Sequence, residues 1–239
     1  MKGQTSLLGR EVLGGKNASA AARSVEAALA QANAEFDEAA ADLSANLVGG
    51  VDAHNRAQTE AMLRKTLGVS SAQIVDAPLV AKPLAIARAE STALIKTIPE
   101  NHFAQVTRAV IANFKGETFE EGSLTARLRA LGPITDRRAR FIARDQTAKL
   151  VSSLNEVRQS GAGITGYIWR TSKDNAVVGA PGNDAKPNAL HGDHFSREGK
   201  VFLWSKPPSD GHPGQPIGCR CRAEPIVDMD EVLKDAVQL

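Results

Sequence analysis

Cys219-Arg220-Cys221, with His191, His194 and His212 upstream, is the densest group of metal-capable side chains in the sequence. Thiolates and neutral imidazoles are the donors that suit tetrahedral zinc, which makes zinc the cofactor this set admits. Cysteines two apart on a strand project to one face, so both sulfurs can reach one ion. His191 and His194 reach a common point if the chain turns helically between them. Two buried reduced thiols with surface histidines fit the same letters, and so does a redox pair. A disulfide between residues only two apart closes a small strained ring and is discounted. His191-Gly192-Asp193-His194, with Asp210 and His212, also has the makings of a metal-hydrolase centre, and a Cys–His pair those of a nucleophile. The chain has no H-E-x-x-H, G-x-S-x-G or Walker loop to support either. No catalytic residue is assigned, and enzymatic activity is not expected.

A second group is electrostatic. Residues 137–149 hold Arg137, Arg138, Arg140, Arg144 and Lys149 against Asp145, five charges less one, or +4. Arg137, Arg140 and Arg144 recur at i, i+3 and i+7, so they share a helix face. Such a face suits phosphates or an acidic partner, with Lys149 one turn further on. A solvated face with internal ion pairs is the plainer reading. Tyr167, Trp169 and Trp204 read as packing residues of two strands.

These groups sit in a chain of 239 residues with a net charge of +2. The length allows one or two domains. At +2 the chain lacks the overall basic cloud that wraps nucleic acid, so only a local patch can serve. Hydrophobic residues make up 42% and aromatics 4%, so the core is built mainly of Ala, Leu, Val and Ile. No run of about 18 apolar residues occurs, so no membrane span is expected. Met1 to Gly15 lacks the apolar block of a secretory signal.

The elements that must position these groups fall into a helical front and an irregular back. Helices are expected over 17–48, ended by Gly49-Gly50, and over 52–67, capped by Asp52. In the first, Val25, Leu29, Ala32, Phe36, Ala39 and Leu43 form an apolar stripe. Residues 69–83 read as a connector because Pro78 and Pro83 interrupt a helix. Further helices are expected over 84–97, over 100–114 with a stop at Lys115-Gly116, over 123–132, and from Thr135 or Asp136 to about Ser160. Strands follow at 165–171, 200–204 and 219–227. Two long turn-rich loops lie between them, and loops of that length need something to hold them. The expected fold class is α+β: a helical arm over 1–83, then a unit over 84–239 with helices to 160 and a short antiparallel sheet with its loops over 161–232.

Several segments together resemble the phage Mu F-like minor head protein family, also called the phage head morphogenesis family. They are ALIKTIPENHFAQV (93–106), RARFIARDQTAKLVSSLNEVRQSGAGITGYIWRTSKDN (138–175), His194 ahead of Gly199-Lys200-Val201-Phe202, and Pro213-Gly214 before Cys219-Arg220-Cys221. The resemblance runs over about 85–227. It implies a structural protein of the tailed-phage head, present in few copies near the portal and active in procapsid assembly. The implied partners are the portal protein and the major capsid or scaffolding protein, with packaged phage DNA beside them and no membrane. The implied location is the head interior, and the host cytoplasm during assembly. The family's shared positions fall on Arg140, Arg144, Asp145, Gln146, Trp169, Asp174, His194, Gly199, Cys219, Arg220 and Cys221, as fold or metal positions. Between Asp174 and the histidine the family usually runs through an Arg-containing stretch, whereas 175–193 here has no Arg. The spacing to Gly199 favours His194 over His191 for the family position. The expected metal set is therefore Cys219, Cys221 and His194 with His191, and the expected DNA or partner contacts are Arg137, Arg140, Arg144 and Lys149.

Overall fold

The computed structural model describes residues 16–68, 78–114, 120, 122–184, 186–188 and 191–227. Three long helices come first: α1 (Lys16–Leu67), α2 (Ala81–Phe114) and α3 (Leu124–Gly161). Three short strands follow: β1 (Gly166–Arg170), β2 (Val201–Leu203) and β3 (Arg222–Pro225). They form one antiparallel sheet in the order β2-β1-β3. The α+β class expected from the sequence is the class observed.

Each of the three helices joins what the sequence divides. Gly49-Gly50, Pro99 and Pro133 all lie inside continuous helix. A glycine pair costs about 2 kcal/mol against alanine, a penalty that packing on either side can offset. Asp52 is therefore not a cap but a mid-helix side chain. Pro83 stands at the third residue of α2, where no intrahelical bond is lost. The Lys115-Gly116 stop and residues 69–77 of the expected connector lie outside the described residues.

The chain divides into two compact units. One comprises residues 1–42 and 96–135, the other 43–95 and 136–239. Neither begins at 83/84. Pro99 and Pro133 stand within four residues of two of the crossing points. In the first unit Ala40, Ala109 and Leu131 are buried. Lys96 pairs with Asp37 at 3.2 Å, and His102 Nδ1 lies 2.9 Å from Thr135 Oγ1.

In the second unit the buried face of α1 runs through Ser44, Val48, Asn55, Thr59 and Leu63, a spacing of four or seven. This is one residue out of step with the expected stripe, and Leu43 is 51% exposed. Val48 packs with Leu150 and Leu154 of α3, and Val51, Val80, Leu84 and Ala87 close around them. Ser44 Oγ donates to the Arg88 carbonyl at 2.8 Å. Leu63 and Ile164 carry this core toward the sheet, with Met62, Ala162 and Val227 beside them.

Gly161-Ala162-Gly163-Ile164-Thr165-Gly166 spells G-x-G-x-x-G. Here it leaves a helix and enters a strand, the reverse of the dinucleotide-binding order, so it is a connector.

Candidate metal centre

β1 places Tyr167 and Trp169 on one face, two residues apart, and both are fully buried. Trp204, Cys219 and Cys221 complete this aromatic and sulfur core. The antiparallel register pairs Trp169 with Ala223 of β3, which brings the residues just ahead of β3 beside the tryptophan. Cys219 and Cys221 are those residues. They stand before the strand rather than in it, directly after a turn that closes at Cys219. The Cys219 N–H bonds to the Pro216 carbonyl at 3.0 Å.

The long excursion after β1 returns to it through two backbone bonds: Gly199 N–H to the Trp169 carbonyl, and Trp169 N–H to the Lys200 carbonyl, both at 2.9 Å. His194 precedes a short 3₁₀ helix, Phe195–Arg197, and is buried. Its Nδ1 lies 3.6 Å from Cys219 Sγ and 3.7 Å from Cys221 Sγ. Among the described residues, His194, Cys219 and Cys221 form a buried group whose donor atoms all lie within 4.8 Å of one another.

The other ring nitrogen of His194 is committed. Nε2 lies 2.9 Å from Asp210 Oδ2, which also receives the Gly192 N–H at 2.8 Å. Arg197 pairs with the same carboxylate at 2.8 Å, and its guanidinium lies 4.8 Å above the Trp169 ring. Burial alone would raise the Asp210 pKa. The Gly192 N–H, His194 and Arg197 outweigh it and hold the carboxyl below its usual range. A carboxylate anion at Nε2 selects the Nε2–H tautomer and aims the Nδ1 lone pair at the two sulfurs.

The sulfurs are unequal. Cys219 is held below the usual thiol range by a hydrogen bond from Cys221, with His194 and the Gly214 and Cys221 N–H groups adding to it against the cost of burial. Cys221 moves up because it donates to Cys219 and is buried. His194 is raised: burial opposes the charged ring, but Cys219 and Asp210 outweigh it. Two soft donors and an oriented imidazole thus face one point, a set that fits a tetrahedral soft or borderline ion.

α3 holds the cysteine turn from below. Asp145, buried, accepts the Gly218 N–H at 2.7 Å and pairs with Lys149 at 2.9 Å. Gly214 (φ 93°) packs so closely on this helix that a Cβ there would sit 2.8 Å from the Ala148 carbonyl oxygen, so only glycine fits. Arg220 pairs with Asp174 at 2.5 Å, fastening the turn to the loop after β1.

The other expected residues are placed as follows. His191 is half-buried, not part of the three-donor group, and lines the same cavity as His194. His212 belongs to a separate network: its Nδ1 lies 2.9 Å from the Tyr167 hydroxyl, and its ring packs 4.8 Å from Trp204. Arg137, Arg140 and Arg144 are exposed. Arg140 pairs with Asp136 at 3.0 Å, and Arg144 lies 5.7 Å from the ring of Phe141, an aromatic set among the arginines. Lys149 is committed to Asp145. The sequence reading groups Asp210 with His194 and His212 only as the makings of a hydrolase centre; that it orients His194 is hidden by its distance from that residue in the chain. Arg158, fully buried, has no role in that reading.

Burial holds His212 below its ordinary pKa of 6.5, while a hydrogen bond to the Trp204 backbone works the other way. Below that pH the unfolded chain takes up a proton that the native ring resists. Stability therefore falls as pH drops from about 6.5 toward the lowered native value. Urea midpoints taken on either side of that pH will show the wild type losing more than His212→Gln. Equal losses would mean that the ring does not carry the effect.

Residues 103–224 match the family described as Phage Mu protein F like protein. The chain belongs to this phage head morphogenesis family. It is also 31% identical over 195 residues to an uncharacterized protein of Haemophilus influenzae, covering 80% of this chain and 40% of that protein. The chain thus spans about 40% of the length of the relative it matches. No solved structure matches. Among the described residues no helix is long and apolar enough to cross a membrane.

Proposed function

We propose that the protein is a minor capsid component of a tailed-phage head, acting in procapsid assembly near the portal. The observation that carries this reading is the family match, which takes in the end of α2, all of α3 and the sheet nearly to its end. The portal protein and the major capsid or scaffolding protein are the proposed partners. The head interior is the proposed location, reached from the host cytoplasm during assembly. Supporting a structural role, positions that the resemblance assigns to the family hold the sheet and its loops together in this chain. Asp145 anchors the cysteine turn, Asp174 pairs with Arg220, and Gly199 closes the excursion onto β1.

Packaged DNA is a further proposed contact. Arg137, Arg140 and Arg144 carry it, while Lys149 adds little because it is tied to Asp145. The charge is modest, so binding to duplex DNA should be weak and fall steeply with added salt. Neutralising the three arginines should remove it, whereas salt-independent binding would overturn the contact. The assembly role is tested by cross-linking and quantitative mass spectrometry on purified particles of a phage carrying this sequence. A few copies per particle, cross-linked to the portal protein, are expected. Absence from particles, with normal heads in a deletion strain, would refute the role.

A further inference from the structure

Two sulfurs and a nitrogen at tetrahedral zinc, with bonds of about 2.3 and 2.0–2.1 Å, stand about 3.6 Å apart. His194 Nδ1 lies at 3.6 and 3.7 Å from the two sulfurs. A single N–H can point at one sulfur only, so a hydrogen bond explains one of these distances and not both. A shared ion explains the pair.

A second, independent observation is Trp169 Nε1. It is buried with no hydrogen-bond partner, in the same cluster as Cys219 and Cys221. Sulfurs held by a metal would place a negative acceptor in that cluster for the otherwise unpartnered indole N–H. The third is the carboxylate–histidine couple of Asp210 and His194, the usual support of a histidine that ligates a metal.

The fourth position is the new element. Beside the three donors lies a cavity of about 190 Å³. Its wall carries His194, Cys219 and Cys221 together with Ser172, His191 and Arg220. A cavity of this size holds several waters. His191 stands in that wall outside the three-donor group.

We propose that His194 Nδ1, Cys219 Sγ and Cys221 Sγ bind one zinc ion whose fourth position opens into this cavity. That position takes water or a small exogenous donor of the imidazole or thiol class. His191 lines the approach and does not ligate. The centre differs from a four-donor structural site because its ion can be reached, and therefore exchanged, from solvent. The inference does not depend on the place of the chain in a phage head.

The test uses the full chain purified under reducing conditions. Elemental analysis should find one zinc per chain, and Cys219→Ser and Cys221→Ser should each lose most of it. Because those variants disturb a buried core, the deciding arm keeps the core intact. The wild type is loaded with cobalt(II) and titrated with imidazole. A saturable change in the visible bands is expected, since an open position accepts the added donor. His191→Ala should hold the same metal, with the same starting spectrum and the same response. Zinc absent after reconstitution, or another metal in its place, overturns the assignment. A spectrum inert to imidazole in the wild type that becomes responsive in His191→Ala identifies His191 as the fourth ligand and overturns the open position.

Discussion

Chelating zinc from the full chain will abolish most of the near-ultraviolet circular dichroism while leaving the helical far-ultraviolet signal largely in place. Both tryptophans and the only tyrosine report on the centre. Tyr167, Trp169 and Trp204 share one buried cluster with Cys219 and Cys221. The rings touch closely, Tyr167 at 4.4 Å from Trp204 and Trp169 at 5.3 Å from His194, so their signals depend on a fixed arrangement. The segments that carry His194 and the cysteines have little regular structure of their own: among the described residues, the Phe195–Arg197 turn and a three-residue strand lie between β1 and β3. Metal binding to small zinc domains contributes about 10–16 kcal/mol, as large as the whole stability of an ordinary domain, so its loss cannot be absorbed locally. The helices have a separate core in Val48, Leu150 and Leu154, with no metal donor in it. Readdition of zinc should restore the near-ultraviolet spectrum. A spectrum indifferent to chelator would show that aromatic packing alone holds the loops.

This separation also accounts for what the sequence discloses. Strand alternation at Tyr167 and Trp169 works because one face of β1 is buried, and a two-residue period leaves little freedom of register. The three strands therefore lie where alternation puts them, shortened at their ends. Cys219, Cys221 and His194 were legible from donor type and spacing to Gly199. Asp210 is visible beside them, but its pairing with His194 was not legible, because nothing in a linear pattern says which carboxylate folds back over sixteen residues to a given imidazole. The helices mislead in the opposite sense. Gly49-Gly50, Pro99 and Pro133 are local penalties of about 1–3 kcal/mol each, and long packed helices override them. Near the two prolines the chain passes from one compact unit to the other, so the breakers mark unit boundaries rather than helix ends.

Arg158 shows how a charge on an apolar stripe should be read. Leu150, Leu154 and Arg158 follow one another at intervals of four on α3, and the third is 1% exposed. A buried guanidinium needs partners, and α1 supplies them. Arg158 donates to Asn55 Oδ1 at 2.7 Å and to Asp52 Oδ1 at 2.5 Å, while Asn55 Nδ2 donates to Asn155 Oδ1 at 2.7 Å. Asp52 and Asn55 sit within two turns past Gly49-Gly50, where this anchor on α3 helps keep α1 helical across the glycines. Arg158→Ala removes the cation but leaves Asn55 buried and Asp52 partly so, without the donors they face. Breaking a buried pair from one side costs about 3–5 kcal/mol. The urea midpoint of the zinc-loaded chain should fall accordingly. Arg158→Met, which refills the volume, should recover part of the loss, and joining it to Asp52→Asn should recover more, because no carboxylate is then left facing an apolar neighbour. If Arg158→Ala shifts the midpoint no more than an exposed control such as Arg137→Ala, the network contributes nothing to stability, and the continuity of α1 through its glycine pair rests on the Val48–Leu150–Leu154 packing alone.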